Sequence, residues 1–213
     1  MTPLNFEVIG ARPEPHAAVP TIMFALRATE TDGGTVHALA LRCQLRIEPQ
    51  RRRYTPEEEE RLYELFGETP RWGDSLRPFL WTHTSTTIPG FTGSTEFYLP
   101  VECTYDFEVA AAKYLHSLST GEIPLILLFS GTIFKRGETG FAAEPISWQQ
   151  EASCRMPVSV WRDVMDLYFP NSAWLRLRRD TLDHLQRFKA SRALPTWDQA
   201  FDELLKQAGE DGP

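Results

Sequence analysis

The stretch HALALRCQLRI, residues 37–47, constrains this chain more than any other. His37, Leu39, Leu41, Cys43, Leu45 and Ile47 alternate with Ala38, Ala40, Arg42, Gln44 and Arg46. Successive side chains of a strand point to opposite faces, so a period of two gives one dry face and one wet face. A helix would scatter the same residues around its axis. The pattern therefore specifies an antiparallel sheet covered on one side, with His37 grouped among the apolar residues.

The same period recurs through the first two thirds of the chain. LNFEVIG begins a strand and RPEPH breaks it; TIMFALRAT follows with Ile22, Phe24 and Leu26 on one face. TDGG at Thr31–Gly34 reads as a hairpin signal, and PGFTG after Trp81–Ile88 turns the chain. STEFYLPVECTYDF sets Phe97, Leu99, Val101, Cys103, Tyr105 and Phe107 together. Pro100 falls opposite, and its missing N–H marks an edge strand or a bulge. GEIPLILLFSGTIFKRG is apolar almost without interruption, which implies cover on both faces. GFAAEPISWQQEASCRM adds a further strand, and EVAAAKYLHSL reads as a short helix in preference to a strand continuation. One helix is inserted at 55–67: Thr55 is its N-cap, Pro56 its first residue, Glu58 completes a capping box and Gly67 stops it. Leu62, Leu65 and Phe66 form its apolar stripe. Glu68–Leu80 reads as a packed loop pinned by Trp72 and Phe79.

From Pro157 the period becomes helical. Val158, Trp161, Val164, Met165 and Tyr168 share one face, and Arg162, Asp163 and Asp166 the other. Pro170 ends this helix, and Asn171 or Ser172 caps the next. Stepping from Trp174, the residues Leu175, Leu177, Thr181, Leu182, Leu185 and Phe188 form one sector. Arg176–Asp180 and Asp183–Arg187 pair on the wet side, while Arg178 and Lys189 project into the apolar sector. Thr196 with Gln199 opens a last helix, with Trp197, Phe201, Leu204 and Leu205 inward and Gly209 at its end. The expected fold is α+β: an antiparallel sheet, curved or sandwich-like, with a C-terminal helical layer and one short inserted helix. Residues 1–155 form the β part, and the helices of 156–209 pack on it within one structural domain.

A net charge of -7 and a pI near 5.3 argue against broad nucleic-acid or anionic-membrane binding, which needs a positive footprint, and leave room for a local basic patch. Ile123–Phe129 is too short to span a bilayer. The N-terminus lacks a basic region followed by an apolar run, so a cytoplasmic location is expected. Three cysteines, far apart and odd in number, suggest neither bridges nor a metal site. The histidines, His16, His37, His83, His116 and His184, have no ligand spacing. Neither a phosphate loop nor a nucleophile elbow occurs. No catalytic, cofactor-binding or metal-binding residue is assigned, and no cofactor is expected. Cys154 beside Arg155 is the thiol whose neighbour could lower its pKa. The hydroxyl-rich HTSTT, His83–Thr87, alternates toward water. The six tryptophans concentrate in part in the helical third, where Trp161, Met165, Tyr168, Trp174, Arg178 and Trp197 form a candidate interaction surface.

The motifs GEIPLILLFSGTIF, SWQQEASCRMPVSVWRDVMDLYFPNSAWL and RALPTWDQAFDELL resemble, over nearly the whole chain, a bacterial domain family of unknown function. Its members are often encoded beside genes for uptake nickel–iron hydrogenases of the high-affinity, air-tolerant type. The resemblance implies an accessory or assembly role toward hydrogenase subunits or maturation proteins, and brings no catalytic residues with it. At the level of fold, LILLFSGTIF ahead of C-terminal helices is similar to the SecB-like export chaperones, from which the Tyr54–Leu80 insertion departs. The leading expectation is a non-enzymatic, protein-binding assembly factor. The competing ones are a small-molecule-binding or enzymatic domain with its site in a sheet concavity, and a chaperone-like groove for unfolded clients.

Overall fold

The computed structural model describes residues 3–104, 106, 109–137, 140–147, 149–172 and 175–209. The chain divides into two compact units, 1–173 and 174–213.

The first unit is built on antiparallel strands. β1 (Leu4–Pro13), β2 (Thr21–Glu30) and β5 (Ser94–Glu102) form one sheet in the order β1-β2-β5. β3 (Thr35–Ile47), β4 (Phe79–Thr92), β6 (Glu122–Gly137), β7 (Gly140–Pro145) and β8 (Glu151–Pro157) form the other. β3 lies at its centre between β4 and β6; β6 pairs with β8 along its first half and with β7 along its second. The two sheets share one core. Ile22, Phe24, Leu26, Leu99 and Val101 come from the first, and Leu39, Leu41, Cys43, Leu45, Ile47, Leu125 and Leu127 from the second. Phe6 stacks on Phe129 across the gap at 4.3 Å between ring centroids. The alternation in the sequence is this core seen one strand at a time.

The hairpin expected at TDGG does not form, and the turn expected at PGFTG is a change of sheet. TDGG carries the chain from β2 in one sheet to β3 in the other, strands that do not pair. The buried Glu30 carboxylate fixes this corner by accepting from the N–H groups of Asp32 (3.0 Å) and Gly34 (2.6 Å). At PGFTG, β4 continues through Pro89 and Gly90 to Thr92. The chain changes sheet at Gly93, whose φ of 73° is the left-handed conformation glycine adopts without penalty. Glycine suits a crossover as well as a hairpin, so local composition could not separate the two. His37 also differs from expectation. β3 slips register against β6 between Val36 and Ala38. This bulge puts Val36 in the core and His37 outside. Cover on both faces of β6 is limited to Ile123, Pro124 and Leu125; beyond them the strand alternates. Pro100 is exposed on β5, an edge strand, as its missing N–H required.

The insertion forms α1 (Pro56–Phe66) with the full Thr55–Glu58 capping box and Gly67 at its end, followed by α2 (Trp72–Ser75). Trp72 is buried and donates from Nε1 to the Gly67 carbonyl at 2.9 Å. α3 (Ala110–Ser117) packs on α1, and α4 (Val158–Tyr168) packs on α3, β1, β2 and β8. α4 thus belongs to the first unit.

The second unit contains α5 (Arg179–Ser191) and α6 (Trp197–Ala208), which pack on each other. Thr196 accepts from the Gln199 N–H at 3.2 Å, and Gly209 ends α6 with φ 82°. α5 starts later than periodicity suggests. Leu175–Arg178 is not helical, and the N-cap is Arg178, with extended backbone and no side-chain cap, rather than Asn171 or Ser172.

Candidate functional site

The residues expected to form one interaction surface are divided between the two units. Trp161 and Met165 lie buried in the core of the first unit, where the α4 stripe meets β1, β2 and β8. Tyr168 is half-buried, and its hydroxyl lies 3.0 Å from the Glu14 carbonyl and 2.7 Å from that of Ala17. It ties α4 to the loop between β1 and β2. Periodicity identified this apolar face correctly, but the sheet edge and α3 cover it. Trp174 lies outside the described residues, as do Trp148, Tyr105 and Phe107.

Arg178 and Trp197 are in the second unit. Because Arg178 precedes the helix, it occupies no apolar sector. Its side chain is 82% exposed, 3.4 Å from Asp180. Lys189 donates from Nζ to the Pro195 carbonyl at 3.0 Å and lies over the Trp197 ring at 5.7 Å. Asp183 meets Arg187 through its backbone carbonyl at 3.3 Å. The apolar stripes of this unit are only partly covered. No residue of α5 is buried, and Ala200 alone is buried in α6. Leu182, Leu185, Phe188, Phe201 and Leu204 are half-buried, and Leu175, Trp197 and Leu205 are exposed.

The densest polar chemistry of the first unit is enclosed. Arg52 donates to the Glu58 carboxylate at 2.6 Å and to the carbonyls of Thr120 (2.7 Å) and Glu122 (2.9 Å). Glu58 also accepts from the N–H groups of Ser119 (2.6 Å) and Thr55 (3.2 Å). Burial pushes the Glu58 carboxyl up, but the Arg52 guanidinium and these N–H donors outweigh it and hold the group below the usual carboxylate range. Beside the pair, the Tyr54 and Tyr114 hydroxyls are 2.9 Å apart, ringed by Phe66, Trp72 and Phe79. Burial pushes Tyr114 up to about 12 and raises Tyr54 further. These groups fasten α1 and α3 to the start of β6.

Burial likewise pushes all three thiols, Cys43, Cys103 and Cys154, up to about 12. Arg155 does not activate Cys154. Strand alternation turns Arg155 outward, where it donates to the Arg51 carbonyl at 3.3 Å. Among the described residues no group of three His, Cys, Asp or Glu side chains is placed to hold a metal ion. No described helix is long and apolar enough to cross a membrane.

A further arrangement appears on the outer face of the larger sheet. Register sets three rows across β4, β3 and β6: Thr87–Ala40–Thr132, Ser85–Arg42–Ser130 and His83–Gln44–Leu128. Two open hollows of about 540 and 760 Å³ share Arg42, Ser85 and Ser130. The alternation of β3 and of HTSTT marked the β3 and β4 members as outward, whereas Ser130 and Thr132 fell in a strand expected to be covered on both faces. Only the pairing of the strands brings them together.

The model of the family described as "Family of unknown function (DUF6084)" matches residues 1–213. The chain belongs to this family. A family without an assigned activity is what the motifs resembled. No curated protein matches the chain. Among solved structures, a β-glucosidase from Kluyveromyces marxianus is 6% identical with a TM-score of 0.27, over 73% of this chain and 15% of that one. AggA, the major subunit of aggregative adherence fimbriae type I from Escherichia coli, is 12% identical with a TM-score of 0.26, over 73% and 94%. A bacterial adhesin from Mobiluncus mulieris is 11% identical with a TM-score of 0.27, over 72% and 57%. Likenesses this distant carry no argument about this member of the family, which spans under a sixth of the β-glucosidase.

Proposed function

We propose that this chain is a non-enzymatic, cytoplasmic assembly factor whose C-terminal two-helix unit docks on a partner protein. The observation that carries the reading is the incomplete cover of α5 and α6. A segment this short rarely builds a sufficient core alone, and among its described residues only Ala200 is buried while Leu175, Trp197 and Leu205 remain exposed. Covering that stripe is the gain available on binding. The stretch Arg176–Arg192 carries six cations against two carboxylates, Asp180 and Asp183. The partner therefore presents an apolar groove bordered by carboxylates. Following the resemblance, the partner is a subunit or maturation protein of a nickel–iron hydrogenase.

The test uses the purified full chain with purified hydrogenase subunits and maturation proteins. Association with one of them is expected, weakened by Leu205→Asp and by Trp197→Ala. A lack of association with any of them, together with normal hydrogenase maturation in a deletion strain, overturns the reading. Suppression of aggregation of an unrelated denatured client would instead favour a chaperone-like role.

A further inference from the structure

We propose that the outer face of the β4–β3–β6 sheet binds a phosphate group carried by a small polar molecule, with Arg42 as its anchor. The site lies wholly in the first unit and is independent of docking by the second.

Four observations converge. First, Arg42 is exposed at the middle of the central strand. Among the described residues it has no hydrogen-bond or ion-pair partner, whereas Arg27, Arg52 and Arg155 each have one. Second, Ser85 and Ser130 stand directly opposite Arg42 on its two neighbours. Cross-strand side chains of this kind lie about 5 Å apart. Thr87 and Thr132 form the next row, and Gln44 and His83 the row on the other side. A guanidinium fork offers five donors, and hydroxyls on both sides add donors that turn to suit. A tetrahedral phosphate has acceptors enough for all of them, whereas a planar carboxylate is satisfied by the guanidinium alone. Third, among the described residues no Asp or Glu lines either hollow, although the chain carries 29 of them. The carboxylate next in register is Glu151, opposite Leu128 on β8. Fourth, the floor is fixed by Gly131. A Cβ there would lie 2.0 Å from the Ala40 carbonyl oxygen, and its φ is 146°. Glycine therefore lets the β6 backbone crowd β3 between the two hydroxyls.

Hollows of about 540 and 760 Å³ match the size of sites for small molecules. Phosphate on Arg42 leaves Gln44, Thr87 and Thr132 to meet hydroxyls of the body that carries it. A sugar phosphate is the probe with that chemistry.

The experiment is calorimetric titration of the full chain with glucose 6-phosphate, inorganic phosphate, glucose and acetate. Glucose 6-phosphate is expected to bind most tightly and inorganic phosphate weakly, with glucose and acetate silent. Arg42→Ala is expected to weaken glucose 6-phosphate at least about tenfold, the double variant Ser85→Ala/Ser130→Ala to weaken it less, and Arg187→Ala to leave it unchanged. Circular dichroism checks that each variant is folded. Binding of inorganic phosphate equal to that of glucose 6-phosphate overturns the small-molecule part of the proposal. Equal binding of acetate or glucose overturns its phosphate part. No binding at tens of millimolar, or binding that Arg42→Ala leaves intact, overturns the site.

Discussion

Glu58 carries out two structural tasks because it is fully enclosed. It completes the cap of α1 and answers Arg52, which is itself tied to the start of β6. Removing one member of a buried pair leaves the other charged and unanswered, which costs about 3–5 kcal/mol. Arg52→Ala should therefore lower unfolding stability by about that amount in denaturant titration. Because folding holds the Glu58 pKa below its unfolded value, its contribution is present above about pH 4.3 and is lost as pH falls through the folded pKa. Glu58→Gln should make stability between pH 7 and 3 less steep than in the wild type; an equal slope would contradict this. The cysteines make a second case. With thiols raised to about 12 by burial, none should react with a thiol reagent at pH 8 in the native state, and all three should react in denaturant. The sequence showed Thr55–Glu58 as a cap because capping is local. It could not show Arg52 as the partner of Glu58, because that depends on where the chain returns at Ser119–Glu122.

The strands were legible from alternation, and the places where they change sheet were not. Gly33, Gly90 and Gly93 all sit in sequences typical of turns, yet only tertiary pairing decides which of them redirects the chain. Gly90 instead lies within β4, where a Cβ would come within 2.7 Å of the His37 carbonyl oxygen. Gly131→Ala is the sharper test of such close approach. It should destabilise by at least about 2 kcal/mol, whereas Gly73→Ala, with open space around it, should be near neutral. Thermal melts of the two variants compare them directly. α4 shows the limit of reading an amphipathic face. Its apolar stripe was plain in the sequence, but whether sheet or partner covers it was not. Tyr168→Phe, which removes the hydroxyl from between the Glu14 and Ala17 carbonyls, should cost about 1 kcal/mol.

The chain as a whole divides into two units of different character. The first has a continuous core and the enclosed Arg52–Glu58 pair, and its outer sheet face gathers Arg42 with serine and threonine hydroxyls. The second has two helices with almost nothing buried. The outward residues of β3 and β4 could be named from the sequence, but not the rows they form, since register is a property of the assembled sheet. Arg178 could be named as unusual, but its position before α5 follows from where the helix starts. The most direct test of the account is co-elution of the purified full chain with purified hydrogenase subunits and maturation proteins in size-exclusion chromatography. The account predicts a complex with one of them that the doubly substituted Trp197→Ala/Leu205→Asp chain, still folded, fails to form. A complex formed equally well by that variant, or no complex with any of them, would contradict it.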